Sequence, residues 1–224
     1  MTLLPGLILA GLIAAQTGTQ TPPIFQPGAP GQGARVITAE QAVALSRSTF
    51  TAADVAFMQH MIVHHAQAVE MVGLLETRGA NPAVRMMGRR IALSQQAEMD
   101  IMRDWLSQRG QPLEMPGMSH AGMDHSAHMG HAPAHAMPAS DTPVMAGMLS
   151  PAQMQTLAAA TGPAFDRLFL QGMIQHHQGA LDMVDALLAN PGAAEDTLLS
   201  DFTNSVVADQ STEILRMQSI LSDL

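Results

Sequence analysis

The chain has 224 residues, neither cysteine nor lysine, and ten arginines against 19 acidic residues, for a formal net charge of −9. That length supports one sizeable core, zero cysteine excludes a disulfide framework and any thiolate ligand or nucleophile, and the acidic balance argues against nucleic acid as a partner. Ala, Leu and Met carry most of the apolar content, with only six Phe and one Trp, a helix-forming mixture that predicts an all-α fold.

Leu3 to Ala15 is an apolar run closing on small residues. It suits a secretory signal and is short for a membrane span, so residues 1–15 read as a signal peptide. The first basic residue is Arg35, so the usual positive flank is missing, and a misassigned start codon or a short membrane tether are the alternatives. Periplasmic or secreted localisation is expected, with no membrane span after cleavage. Residues 16–37 are Gly, Pro and Gln-rich and read as a flexible tether.

Residues 38–110 read as a first helical hairpin. A short helical pattern starts at Thr38, and a long helix is predicted from Thr51 to Thr77. Gly79 to Pro82 turns the chain, and a second long helix runs from Pro82 to Gln108, with Pro at its first position and Gly110 just past its end. Residues 111–149 form a Met/His-rich linker without a hydrophobic period, predicted to be disordered. Residues 150–224 repeat the plan: a short helix over 151–160, a long one from Pro163 to Ala189, a turn at Asn190 to Gly192, and a last helix ending near Ser222.

The repetition holds residue by residue. Asp54, Phe57, Gln59, Met61, Ile62, His64, His65, Ala68 and Met71 match Asp166, Phe169, Gln171, Met173, Ile174, His176, His177, Ala180 and Met183 at an offset of 112. In the second helices Gln95, Glu98 and Met102 match Gln210, Glu213 and Met217 at an offset of 115. Two hairpins with one apolar stripe per helix bury those stripes best against one another, which predicts a four-helix bundle built from two repeated helical hairpins, with short extra helices.

All ten histidines sit beside methionines, in three places. Imidazole nitrogen with thioether sulfur is a donor set for copper or silver. On the first long helix, Phe57, Met61, Ala68, Val72 and Leu75 form the buried stripe. His64 lies about 20° to one side of that stripe and His65 about 40° to the other, so each can reach a different neighbouring helix. His60 and Met71 sit near the His64 edge. The second half repeats the arrangement with Met173, His176, His177 and Met183. Glu98 and Glu213 fall on the core stripe of the second helices, where a carboxylate is costly unless partnered. They either orient imidazoles as acceptors or bind metal directly. A plain His–Glu or Gln–His hydrogen bond that fixes helix register, and Met61, Met99 and Met102 as core filler, are the competing structural readings. In the linker, Met115, Met118, His120, Met123, His125, His128, Met129, His131, His135 and Met137 have no packing role to explain them and read as loose metal donors.

The segments MIVHHAQAVEM with QAEMDIM, and MIQHHQGALDM with QSTEILRM, resemble the bacterial domain-of-unknown-function 305 family, as a tandem copy covering Asp54 to Leu106 and Asp166 to Leu221. The resemblance implies exported helical bundles of ferritin-like shape, some of them periplasmic copper binders linked to copper tolerance. It implies metal-ligand roles for Met61, His64, His65, Met173, His176 and His177. His60, whose counterpart is Gly172, departs from the repeat and implies two unequal sites.

The expected function is therefore an exported protein that binds Cu(I), with Cu(II) and Ag(I) as further cargo, for sequestration, buffering or hand-over to a copper-receiving partner protein. Enzymatic activity is not expected. The rivals are a carboxylate-bridged di-iron oxidase, which needs Glu-x-x-His motifs this sequence lacks, and a helical interaction module with structural histidines.

Overall fold

The computed structural model describes residues 22–27, 31, 33–46, 49–114 and 142–224. The signal segment 1–15 and the linker donors Met115, Met118, His120, Met123, His125, His128, Met129, His131, His135 and Met137 lie outside them. No helix among the described residues is long and apolar enough to cross a membrane.

The chain divides into two compact units, Met1–Arg47 and Ser48–Leu224. In the first, the segment expected to be a plain tether contains a two-stranded antiparallel ribbon. β1 (Ile24–Gln26) pairs with β2 (Arg35–Ile37) in the register Ile24 opposite Ile37 and Gln26 opposite Arg35. The Arg35 guanidinium donates to Gln26 Oε1 at 2.6 Å, across the same pair. Gly31, at φ +85°, lies in the connection, where a left-handed backbone favours glycine. Helix α1 (Ala39–Ser46) follows, capped by Thr38 and Gln41, which exchange side-chain and backbone hydrogen bonds.

The second unit holds α2 (Ala52–Arg78), α3 (Pro82–Gln108), α4 (Pro151–Ala159), α5 (Gly162–Leu188) and α6 (Thr197–Ser222). The ends are set chemically. Thr51 and Asp54 form a capping box on α2, Asn81 with Pro82 starts α3, Ser150 and Gln153 cap α4, and Asp196 accepts from Leu199 N at 3.0 Å on α6. Asp196 also accepts from Trp105 Nε1 at 3.0 Å and from the Arg109 guanidinium, tying the end of α3 to the start of α6.

The four long helices form a bundle in which α2 packs on α3, α5 on α6, and α2 on α5, while α3 and α6 meet only briefly. Two apolar clusters fill it. One joins Phe57, Met58, Met61 and Ile62 of α2, Met99 to Leu106 of α3, Ala180 to Leu187 of α5 and Leu199 to Val206 of α6. The other joins Ala68 to Leu75, Val84 to Ile91, Phe165 to Met173, and Met217, with Leu149 and Leu157 added from outside the long helices. The early half of α2 thus shares a cluster with the late half of α5, so the central pair runs antiparallel and the repeat is close to two-fold. The repeat partners Asp54 and Asp166 clasp opposite ends of that pair. Asp54 accepts from Ala194 N at 2.8 Å, and Asp166 accepts from Ala80 N at 3.1 Å and Asn81 N at 2.8 Å. Each hairpin's turn is therefore held by the other hairpin's carboxylate.

Candidate metal centre

Between the two apolar clusters each long helix carries polar residues at mid-length: His64, His65 and Gln67, then Gln95 and Glu98, then His176 and His177, then Gln210 and Glu213. Adjacent histidines flank the core stripe of α2 and of α5, so both imidazoles of each pair point inward, and all four are fully buried. The His64 and His176 rings lie 3.8 Å apart between centroids, across the α2–α5 contact, and each is 6.3 Å from its sequence neighbour.

Every one of these rings spends the same nitrogen on the protein. His65 Nε2 is 2.5 Å from Glu98 Oε2, and His177 Nε2 is 2.7 Å from Glu213 Oε2. His176 Nε2 donates to the His64 carbonyl oxygen at 2.8 Å, and His64 Nε2 donates to the Ala146 carbonyl oxygen at 3.1 Å. A carbonyl can only accept, so neutral His64 and His176 carry their proton on Nε2 and leave a lone pair on Nδ1. A carboxylate imposes the same tautomer on neutral His65 and His177. All four Nδ1 atoms are buried without a hydrogen-bond partner. Gln95 Oε1 and both amide atoms of Gln210 are in the same condition, so seven of the nine such side-chain atoms among the described residues belong to this belt.

Burial, with the neighbouring His65 and His177 adding to it, pushes His64 down to about 3, and burial with three neighbouring imidazoles holds His176 well below the ordinary histidine range. Both are therefore neutral at physiological pH, with the lone pair free to bind an acid. Leaving buried polar atoms unpaired costs about 1–3 kcal/mol each, and native proteins keep such atoms mainly where they meet a ligand or do chemistry. Glu98 and Glu213 are the partners of His65 and His177 at Nε2, and a carboxylate in that position fixes tautomer and ring angle.

The remaining sequence candidates are distributed unevenly. Met61 and Met102 are buried in the first cluster, and Met71, Met173 and Met217 in the second. Met61 and Met173 sit one turn before the histidine pairs. His60 and Met183 are only half-buried and line a groove between α2 and α5 together. Among the described residues no three His, Asp or Glu side chains gather closely enough to hold a metal ion by themselves.

One expectation changes. His65 and His177 reach the outer helices, and His176 reaches α2, but His64 turns to the non-helical segment at residues 145–149, which makes a turn at Ala146 and Gly147. That strap lies in the groove between α2 and α5, where an added Cβ on Gly179 would stand 2.3 Å from Ala146 O and one on Gly147 would stand 2.4 Å from Gly179 Cα. Gln67 holds it by a pair of bonds, Nε2 to Leu149 O at 2.9 Å and Leu149 N to Oε1 at 2.7 Å. Gln175 Nε2 adds weaker bonds to Gly147 O and Met148 O, both at 3.3 Å. Residues 142–149, assigned from sequence to the disordered linker, are thus partly built into the bundle.

Sequence reasoning did not single out Gln67, Gly147 or Gly179. Their signal lay in mismatches of the repeat: Gly172 stands where the first half has His60, and Gly179 where it has Gln67. Both glycines lie under the strap, Gly172 against the Leu149 side chain.

The family model called domain of unknown function, DUF305, matches residues 54–221 in one stretch that includes both hairpins, and this chain belongs to that family. A DUF305 fragment from Deinococcus radiodurans shares 30% identity over 78% of this chain and 99% of its own, with a TM-score of 0.59. A DUF305 protein from Streptomyces coelicolor shares 25% identity over 76% and 93%, with a TM-score of 0.59. CopM in its Cu(II)-bound form shares 27% identity over 76% and 96%, with a TM-score of 0.53. No curated protein matches the chain.

Proposed function

We propose that this DUF305 protein is an exported copper-binding protein that sequesters or buffers copper and hands it on, without catalysing a reaction. The observation that carries this reading is the row of four buried imidazoles whose Nε2 atoms are all engaged and whose Nδ1 atoms are all bare. Lone pairs in a dry interior, flanked by Met61 and Met173 one turn away, suit a soft or borderline ion that accepts few ligands. Cu(I) and Ag(I) do so, and imidazole accommodates Cu(II) as well. The structural likeness to CopM in its Cu(II)-bound form supports the choice of metal. The linker histidines and methionines would capture ions loosely and the belt would hold them. A di-iron oxidase would need Glu-x-x-His on facing helices, and that motif does not occur in this sequence.

The test is a Cu(I) competition titration of the full chain, of His64→Leu with His176→Leu, and of a chain lacking residues 112–138, alongside metal analysis of the protein isolated from the exported fraction. The expected result is copper in the isolated protein, loss of the tightest site in the histidine double variant, and loss of the weaker sites with the linker. A folded chain that takes up neither Cu(I) nor Ag(I) would leave the histidines as structural elements of an interaction module. Iron with oxygen consumption would favour the oxidase.

A further inference from the structure

The groove between α2 and α5 has two halves related by the internal repeat, and only one is filled. In the filled half, Gly172 faces the strap: a Cβ there would stand 3.0 Å from Leu149 Cδ2 and 3.2 Å from Met71 Cε. Leu149 and Leu157, the latter from α4, complete the packing of that half. The repeat counterparts of Gly172 and Met71 are His60 and Met183. In the other half these two side chains line an open cavity of about 240 Å³ with Ala53, Ala56, Phe57, Ala186, Leu187 and Asn190. The near contact of Met71 with position 172 shows that the fold brings these two positions together. At the equivalent place the sequence supplies an imidazole and a thioether.

His60 makes no hydrogen bond among the described residues and lines the cavity, so its ring nitrogens are open to a ligand. No carboxylate lines the cavity, which disfavours hard divalent ions. A monovalent d10 ion accepts one nitrogen and one sulfur in near-linear coordination, and mixed soft donors select it. Apart from Asn190, the other residues lining the cavity are apolar and bring no competing side-chain donor.

We propose that His60 and Met183 form a second, solvent-reachable site for a soft monovalent cation, Cu(I) or Ag(I), separate from the buried belt. The strap-filled half has no such site, because Gly172 has no donor and the cavity of about 350 Å³ that it borders with Leu149 and Leu157 is lined by neither histidine nor methionine. The assignment rests on the soft-metal reading of the chain only for its choice of ion; its residues and readout are its own.

The test uses the full chain with carbon-13 in the methionine methyl groups and nitrogen-15 in the histidine rings, titrated with silver nitrate in chloride-free buffer. Met183→Leu and His60→Gln, both at half-buried positions, identify the signals, and thermal melts check that each variant folds. The expected result is that the Met183 methyl and the His60 ring move together on silver addition, that either substitution abolishes the other's shift, and that silver stoichiometry falls by a single ion. Static signals at saturating silver overturn the proposal, as does a Met183 shift that survives His60→Gln unchanged. Movement of His60 and Met183 with static His64 and His176 rings would support this site and defeat the belt reading instead.

Discussion

The apolar clusters and the polar belt between them are built on opposite terms. In the clusters, side chains such as Phe169, Leu75 and Trp105 are buried with their surroundings closed around them, so every atom there favours the fold. In the belt, four imidazoles and two glutamines are buried equally deeply, yet seven of their nitrogen and oxygen atoms meet no partner. The clusters supply the free energy that holds the belt dry and its rings in place. Closed apolar packing and unsatisfied polar groups are thus found in different layers of the same four helices.

Variants can break that division or sharpen it. The largest effect belongs to the clusters. Phe169→Ala removes a fully buried ring and should cost about 3–5 kcal/mol by the usual scale of such cavities, read as a lower urea midpoint with unchanged slope. Acidification comes next. His64 titrates near 3 in the fold and His176 well below the ordinary range, against 6.5 in the unfolded chain. Between those values the unfolded state binds more protons, so their contribution is fully present above pH 6.5 and is lost as pH falls toward the folded values. Each imidazole then removes about 1.4 kcal/mol per pH unit. Urea melts between pH 7 and pH 5.5 should show this fall, and His64→Leu should flatten part of it.

Asp166→Ala leaves the Ala80 and Asn81 amides without their carboxylate and should cost about 1–3 kcal/mol, with Asp54→Ala acting similarly at the opposite end. Equal costs would support the two-fold clasp, and a neutral result at either would break it. The smallest stability effect is expected in the belt itself. His176→Leu exchanges a ring with a bare nitrogen for an apolar side chain, and should leave the melting midpoint within about 1 kcal/mol of wild type while copper uptake drops. A large loss of stability there would mean that the histidines serve the fold rather than a ligand.

Much of the architecture was legible beforehand because helix signals are local. The expected helices over 51–77, 82–108 and 163–189 fall within a residue of the observed α2, α3 and α5, since Thr51, Pro82 and Gly110 mark ends through their own backbone chemistry. The two histidine pairs and the facing Glu98 and Glu213 were also readable, as positions on helical stripes. His60 and Met183 were read as belonging with the histidine pairs, and the structure sets them in a groove, about one turn from His64 and about two turns from His176 respectively. The β1–β2 ribbon was missed because three-residue strands leave too short a pattern to separate from a Gly and Pro-rich run.

Residue order alone determined that there would be two similar helical hairpins with histidine and methionine on matching inward faces, because a period of 3.6 residues and an offset of 112 are properties of the string. Tertiary packing alone decided which imidazole nitrogen stays bare, which half of the α2–α5 groove is filled, and that Asp54 and Asp166 exchange hairpins. Those outcomes depend on hydrogen bonds between residues 33 to 140 positions apart. Such partners are chosen by where whole helices come to rest, and no local pattern encodes that.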